Sequence, residues 1–270
     1  MPKCFFLFGL MISIILAGKA QSGFSSLGGA HFLGYTRAGV AMDGGSSIYL
    51  NQAGITSVKN WSADISVERR FNLQELTQLS FSMVKSLKVG SVGIMASSFG
   101  FDQYNEQKIG LVYARKLSPS LSLGGQFDVL RYNIENIGSK NLFSFELGML
   151  LKVNRQLSLG THIFSPVNVE VTNGNEINTR FRAGIKYSPS HKVFLLADLD
   201  KVLDRSLEFK FGFGYQPIKT LEVRAGMNPT ISQYTFGFRL ALKEKFKISS
   251  AFGLNNILGN TPALSIQFEE

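Results

Sequence analysis

From Trp61 to Phe268 the chain repeats one device, a stretch in which every second side chain is apolar, closed by a polar turn. The clearest copy sets Leu207, Phe209, Phe211, Phe213 and Tyr215 on one parity against Glu208, Lys210, Gly212, Gly214 and Gln216 on the other. Successive side chains of a strand point to opposite faces, so one face of this strand is apolar and the other is not. A soluble sheet would bury the apolar face under a second layer, yet no amphipathic helix long enough to supply one follows Trp61. A water-soluble barrel of inverted parity would enclose a cavity too wide for its side chains to fill. Hydrocarbon is then the solvent of the apolar face. The predicted fold is all-β, a transmembrane antiparallel β-barrel of about fourteen strands.

The alternation places strand starts near Trp61, Leu76, Val89, Lys108, Leu121, Leu142, Leu157, Arg180, Val193, Leu207, Leu221, Tyr234, Phe246 and Pro262. An even number puts both chain ends on one side. Connections alternate between short ones, such as Leu117–Ser120 and Asn154–Gln156, and expected longer loops over Gly100–Gln107, Asn133–Asn141, Pro166–Asn178 and Asn255–Thr261. In outer-membrane barrels the short turns face the periplasm. Trp61, Phe71, Tyr113, Tyr187, Tyr215 and Tyr234 fall near strand ends, where an interfacial girdle needs aromatic rings. The last strand ends on Phe268 at the outward parity, a terminal aromatic like that of bacterial outer-membrane proteins, here followed by Glu269 and Glu270.

The one long apolar block, Cys4–Leu16, follows Lys3 and precedes Gly18 and Ala20. A basic start, a short apolar core and small residues before Gln21 describe an export leader over residues 1–20, too short to span a bilayer. The rest of the chain then has no cysteine, because the single one is Cys4. The expected division is leader 1–20, an N-terminal hatch segment 21–58 and a barrel 59–270. An apolar content of 44% is dispersed by alternation and not gathered into helical spans. The net charge of +9 is scattered through turns and inward positions, not collected in a stripe, so nucleic acid is not an expected partner. Contact with anionic lipid headgroups of the outer membrane fits that excess.

Between Gly23 and Ser57 the alternation stops and Gly, Ala and Ser dominate. The run from Tyr35 to Ile55 carries Arg37, Gly39 and Asp43, then Ser46-Ser47-Ile48-Tyr49, then Asn51-Gln52-Ala53-Gly54. It resembles the N-terminal hatch of FadL-like outer-membrane barrels, among them the PorV/PorQ-type proteins of Bacteroidetes, whose pattern leads through Asn-Pro-Ala-Gly into the first strand. Gln52 stands where that proline would be. Ala114–Gly125 and Leu258–Ser265 resemble the middle and final hairpins of the PorV/PorQ side of the group. That resemblance implies a hatch inside the lumen and a non-catalytic component of type IX protein secretion or cell-surface attachment, with secretion-machinery proteins or secreted cargo as partners. The FadL side of the group implies instead a transporter of hydrophobic small molecules.

The inward parity carries both signs of charge: Asp128, Glu146, Arg180, Arg182, Glu208, Lys210, Glu222, Arg224 and Arg239, with Asp64, Glu68, Arg70, Lys152, Lys186, Asp198 and Lys247. A plugged lumen obliges such groups to pair with one another or with the hatch. Few inward side chains are apolar, Phe164, Phe194 and Leu196 among them, and these are expected to pack on the hatch. Inward glycines recur at Gly124, Gly148, Gly160, Gly184, Gly212, Gly226 and Gly237, which either make room for the hatch or bend the sheet. Catalysis has little support. His31, His162 and His191 are the only histidines, and Ser144 and Ser158 near His162 are what a serine-rich chain provides by chance. With no paired histidines at ligand spacing, neither a metal nor another cofactor is expected.

Overall fold

The computed structural model describes residues 28–165, 169–172, 175–203, 205–243 and 245–270. The expected leader and residues 21–27 lie outside the described residues.

Fourteen antiparallel strands close into one barrel. In chain order they are β1 Trp61–Arg69, β2 Thr77–Leu87, β3 Gly90–Phe101, β4 Tyr104–Lys116, β5 Leu121–Ile134, β6 Gly138–Lys152 and β7 Leu157–Phe164. After a small separate hairpin, β8 Val169–Thr172 and β9 Asn175–Ile177, come β10 Arg180–Tyr187, β11 Val193–Val202, β12 Glu208–Ile218, β13 Leu221–Asn228, β14 Gln233–Leu242, β15 Phe246–Asn255 and β16 Gly259–Glu269. Pairing of β1 with β16, from Ser62 opposite Glu269 to Glu68 opposite Ala263, removes the sheet edge. The wall thus has no free sheet edge, the condition for crossing hydrocarbon.

Burial follows the parity read from the sequence. On β12 Phe209, Phe211, Phe213 and Tyr215 are exposed while Lys210 is buried. The same outward belt continues through Ile65, Phe81, Leu111, Phe127, Phe145 and Phe236, a band of exposed apolar side chains that water would not tolerate at this extent. No helix among the described residues is long and apolar enough to cross a membrane; the strands do so. At the end where β1 begins and the chain's C-terminus lies, Trp61 packs on Phe268 with ring centroids 4.4 Å apart, and Phe268 meets Phe246 edge-on.

Two expectations need correction. The long loops expected over 100–107, 133–141 and 255–261 are strand continuations closed by tight turns, with Phe101 opposite Tyr104, Ile134 opposite Gly138 and Asn255 opposite Gly259. Beyond the hydrocarbon both faces of a strand meet water, so the apolar alternation fades while the hydrogen-bond ladder goes on. The β5–β6 turn uses Asn136 and Gly138 at positive φ, 64° and 107°. Phe71 also departs from its expected place. It sits in a 3-10 turn, Arg70–Asn72, at φ 54°, half-buried beyond the end of β1.

Residues 28–58 form a short helix, α1 (Gly29–Leu33), and two 3-10 segments, Gly45–Tyr49 and Gln52–Ser57. They lie against inward residues of the wall. Phe32, Ile48, Leu50 and Ile55 pack with Val84, Met95, Val112 and Ala114 of β2, β3 and β4 in the largest apolar cluster. Tyr35 and Ala38 pack with Leu196 of β11, and Ala41 and Ala53 with Leu150 of β6.

Candidate functional site

The lumen is where the chain gathers its charge, and the N-terminal segment meets that charge residue by residue. Burying α1 leaves its ends in need of partners, and the wall supplies them. Ala30 N donates to Ser265 Oγ at 2.9 Å, and Arg224 Nη1 donates to the carbonyls of Ala30 and His31 at 3.3 and 3.2 Å. The His31 ring meets Asp64 through Nε2 at 2.5 Å, and Tyr49 donates its hydroxyl to the other oxygen of Asp64 at 3.0 Å.

After the helix the backbone is irregular, with Thr36 and Arg37 at positive φ, so its polar groups cannot all be satisfied internally. Thr36 N donates to Thr235 Oγ1 at 3.0 Å. Gly39 N and Val40 N both donate to one oxygen of Asp198, at 2.7 and 3.0 Å. Arg37 pairs with Glu68, which Arg70 also approaches at 3.4 Å. Tyr35 donates its hydroxyl to Glu222, and burial together with that carboxylate pushes the phenol well above its ordinary range.

Asp43 closes this arc between Lys152 and Lys186. Burial works to raise its carboxyl, but Lys186 and the hydrogen bond from Lys152 outweigh it and hold the group below the usual carboxylate range. Asn51 then caps the 3-10 segment, accepting from Ala53 N at 3.1 Å while its amide donates to the carbonyls of Val40 and Met149 at 2.7 and 2.9 Å. Gln52 reaches Glu146 Oε2 at 2.7 Å. Gly54 accepts from Gly44 N at 3.2 Å, and a Cβ there would press on Ser47 and the Met42 carbonyl.

The inward charges form separate groups around the ring. Glu146 joins Lys108, His162 and Gln52, with Asp128 3.3 Å from the Lys108 ammonium. Asp200 gathers Arg180 Nε at 2.6 Å on one oxygen and both Arg180 and Lys210 at 2.5 Å on the other, with Arg182 at 3.5 Å. Glu208 stands 3.5 Å from Lys210 and accepts from Asn228 at 2.9 Å. Glu222 binds Arg224 at 2.8 Å and also Arg239. Three of the central participants, Lys108, Asp200 and Gln52, were not among the residues singled out from the sequence. Lys108 lies at the expected start of its strand, which begins four residues earlier at Tyr104, and Asp200 was passed over although it shares the inward parity of Asp198 on β11. Gln52 had registered only as a missing proline.

The inward glycines divide. A Cβ on Gly124 would fall 2.6 Å from Ala53 N, one on Gly226 2.7 Å from Thr36 N, and those on Gly148 and Gly160 would strike Asn51 and the Val40 carbonyl. Gly184 and Gly212 face the segment together with wall side chains, Val40 with Asp198 and Tyr35 with Leu196. The nearest atoms to a Cβ on Gly237 belong to Ser250 and Ala251 of the wall. Close approach of the N-terminal segment therefore accounts for most of them, and sheet packing for Gly237.

The apolar side chains divide too. Leu196 packs on the segment with Phe194 beside it, as expected. Phe164 does not. It joins Leu130, Tyr132 and Leu142, with Tyr104 against them, in a cluster made only of wall residues near the mouth opposite the C-terminus. The Lys108 ammonium lies 4.8 Å from the Phe164 ring centroid, under this cluster. At the other mouth a polar recess of about 240 Å³ is bordered by His31, Asp43, Ser46, Arg239, Lys247 and Glu269. His162 bonds Glu146 and not a serine, so the pairing a hydrolase needs is not assembled there. Among the described residues no cluster of His, Cys, Asp or Glu is disposed to hold a metal.

No protein-family model matches the sequence, and no curated protein matches it. The fold, in contrast, has several counterparts among solved structures. The Ralstonia pickettii toluene transporter TbuX superimposes with a TM-score of 0.69 at 10% identity, over 92% of this chain and 99% of that one. A Pseudomonas aeruginosa FadL homologue gives 0.67 at 11% identity, over 90% and 99%, and the P. putida toluene transporter TodX gives 0.64 at 10% identity, over 84% and 94%. The chain thus has the fold of FadL-like outer-membrane barrels.

Proposed function

We propose that the protein is a non-catalytic outer-membrane barrel that passes small hydrophobic molecules, with residues 28–58 as a plug in its lumen. The observation that carries this reading is the inward apolar cluster of Leu130, Tyr132, Leu142 and Phe164. It faces neither lipid nor plug, unlike the inward apolar residues Val84, Met95, Val112 and Leu196, which the segment covers, and an inward apolar cluster left to the wall alone is suited to receive an apolar solute. The fold shared with two toluene transporters and a FadL homologue supports the same class of cargo. The abundant lumen charges do not oppose it, since they are spent in pairs with one another and with the plug.

Uptake of a labelled monoaromatic and of a labelled fatty acid, in outer-membrane-proficient cells with and without the protein, tests the proposal. Saturable uptake that falls several-fold in Phe164→Asp supports it. Uptake equal to that of cells without the protein, for both solutes, rejects it.

A docking role in type IX secretion, implied by the PorV/PorQ resemblance, stands as a second reading. What favours it is the density of ion pairs between plug and wall, from Arg37–Glu68 to Lys152–Asp43, which a conduit would have to break. Stoichiometric co-purification with secretion proteins, together with no solute uptake, would select it.

A further inference from the structure

The two rims of the barrel differ in charge. At the rim where β1 begins and β16 ends, every hairpin turn bears or adjoins an exposed cation: Lys88, Lys116, Arg155, Lys192, Lys219 and Lys243. Lys59 before β1 and Lys245 add to them, and among the described residues Glu270 is the exposed carboxylate there, bonded to Lys245 and to the Trp61 indole. The sequence adds Glu244 between Lys243 and Lys245. The opposite rim carries Glu75, Asp102 and Glu135 in its turns beside the exposed Arg69, Arg131, Lys140 and Lys201, so neither sign dominates.

The terminal-end cations sit at a defined depth. Lys85 shares the outward parity of Leu79, Phe81 and Met83, and its strand partner is Trp61. Arg115 shares the outward parity of Ile109, Leu111 and Tyr113, two residues beyond that tyrosine. Tyr187 and Tyr215 continue the exposed aromatic row at this rim. Aromatic rings mark the level of lipid headgroups, and long cationic side chains just past them reach the phosphates. A soluble acidic protein would meet the turns but not Lys85 and Arg115, which lie beside the hydrocarbon.

We propose that this rim is a collar for anionic phospholipid headgroups, holding a phosphatidylglycerol-enriched annulus in the leaflet nearest the C-terminus. The collar is independent of what crosses the lumen. It sets the barrel's depth and tilt in the bilayer and gives the C-terminus a preferred leaflet.

The test reconstitutes the full mature chain in nanodiscs of mixed phosphatidylcholine and phosphatidylglycerol, then measures by native mass spectrometry the lipids retained on partial delipidation. Wild type is expected to retain phosphatidylglycerol above its bulk share, less so at high salt. Each cation removed in Lys85→Gln, Arg115→Gln and Lys116→Gln should lower that preference roughly fivefold at low salt. The control pair Arg131→Gln and Lys140→Gln at the opposite rim should leave it unchanged. Retention at the bulk ratio in wild type would overturn the collar, as would equal losses from the two sets. Capture of an acidic protein through the same lysines, with no lipid preference, would overturn it in favour of a protein partner. The variants change exposed side chains, and an unchanged heat-modifiable band on gels reports that the barrel has folded.

Discussion

Gln52 Nε2 lies 2.7 Å from Glu146 Oε2, so this one side-chain amide ties the N-terminal segment to β6. The same carboxylate also binds Lys108 and His162, which makes Gln52 a neutral fourth member of a buried charged group. Gln52→Pro fits the first position of a 3-10 turn but deletes this charge-assisted bond, a loss of about 1.5–3 kcal/mol. Gln52→Glu places a second carboxylate against Glu146. Limited proteolysis of folded protein should cut the segment faster in both variants, with Gln52→Glu the worse; equal resistance to wild type would show that the bond contributes nothing.

Gly160 offers a steric probe of the same interface. Its built Cβ strikes the Val40 carbonyl and lies 2.7 Å from the Ala41 Cα, backbone that cannot step aside alone. Gly160→Leu should displace the segment and raise entry of a large antibiotic into cells, while the barrel still shows its heat-modifiable shift. Gly125, whose Cβ would meet only Leu147 at 3.6 Å and the Glu146 carbonyl at 3.7 Å, should accept alanine without either effect.

Asp200 is the acid that three cations share, so Asp200→Asn leaves Arg180, Arg182 and Lys210 buried together. Breaking a buried group of this kind costs about 3–5 kcal/mol. A urea titration in detergent should show the midpoint falling accordingly, whereas Lys245→Gln at the exposed rim should leave it in place.

Asp43 predicts a pH response at the terminal-end recess. Its carboxyl is held below its ordinary range in the folded chain by Lys186 and Lys152, against the effect of burial. A depressed folded value means that the stabilisation is fully present above the unfolded value of about 3.9 and is lost as pH falls through the folded one. With Ser46→Cys as a reporter in a Cys4→Ser background, Cys4 being the sequence's one cysteine, maleimide labelling should be slow at neutral pH. It should become fast at neutral pH in Asp43→Asn; a rate equal to that of the reporter without this change would show that the Lys152 and Lys186 pairs do not hold the recess closed.

The wall was legible because a strand has a period. Parity alone placed Asp128, Glu146, Arg182 and Glu222 inside and Phe211 and Phe213 outside, and the structure agrees. Strand ends were less legible, since past the hydrocarbon both faces turn polar. That is why Asn133 and Asn141 read as loop although they pair with Ser139 and Arg131. Partnerships were not legible at all. Asp200 meets Lys210 only because β11 and β12 align in one register, and a shift of one residue would undo it. The N-terminal segment has no period, so Tyr35 and His31 gave no sign of reaching Glu222 and Asp64. The recurrent inward glycines were the one trace of that segment in the wall.

Single-channel recording in planar bilayers asks whether residues 28–58 close this barrel. Wild type is expected to insert without conductance steps, and Gly160→Leu to give steps of the size of an open pore. Large, stable conductance in the wild type, unchanged by Gly160→Leu, would contradict a lumen closed by its own N-terminal segment.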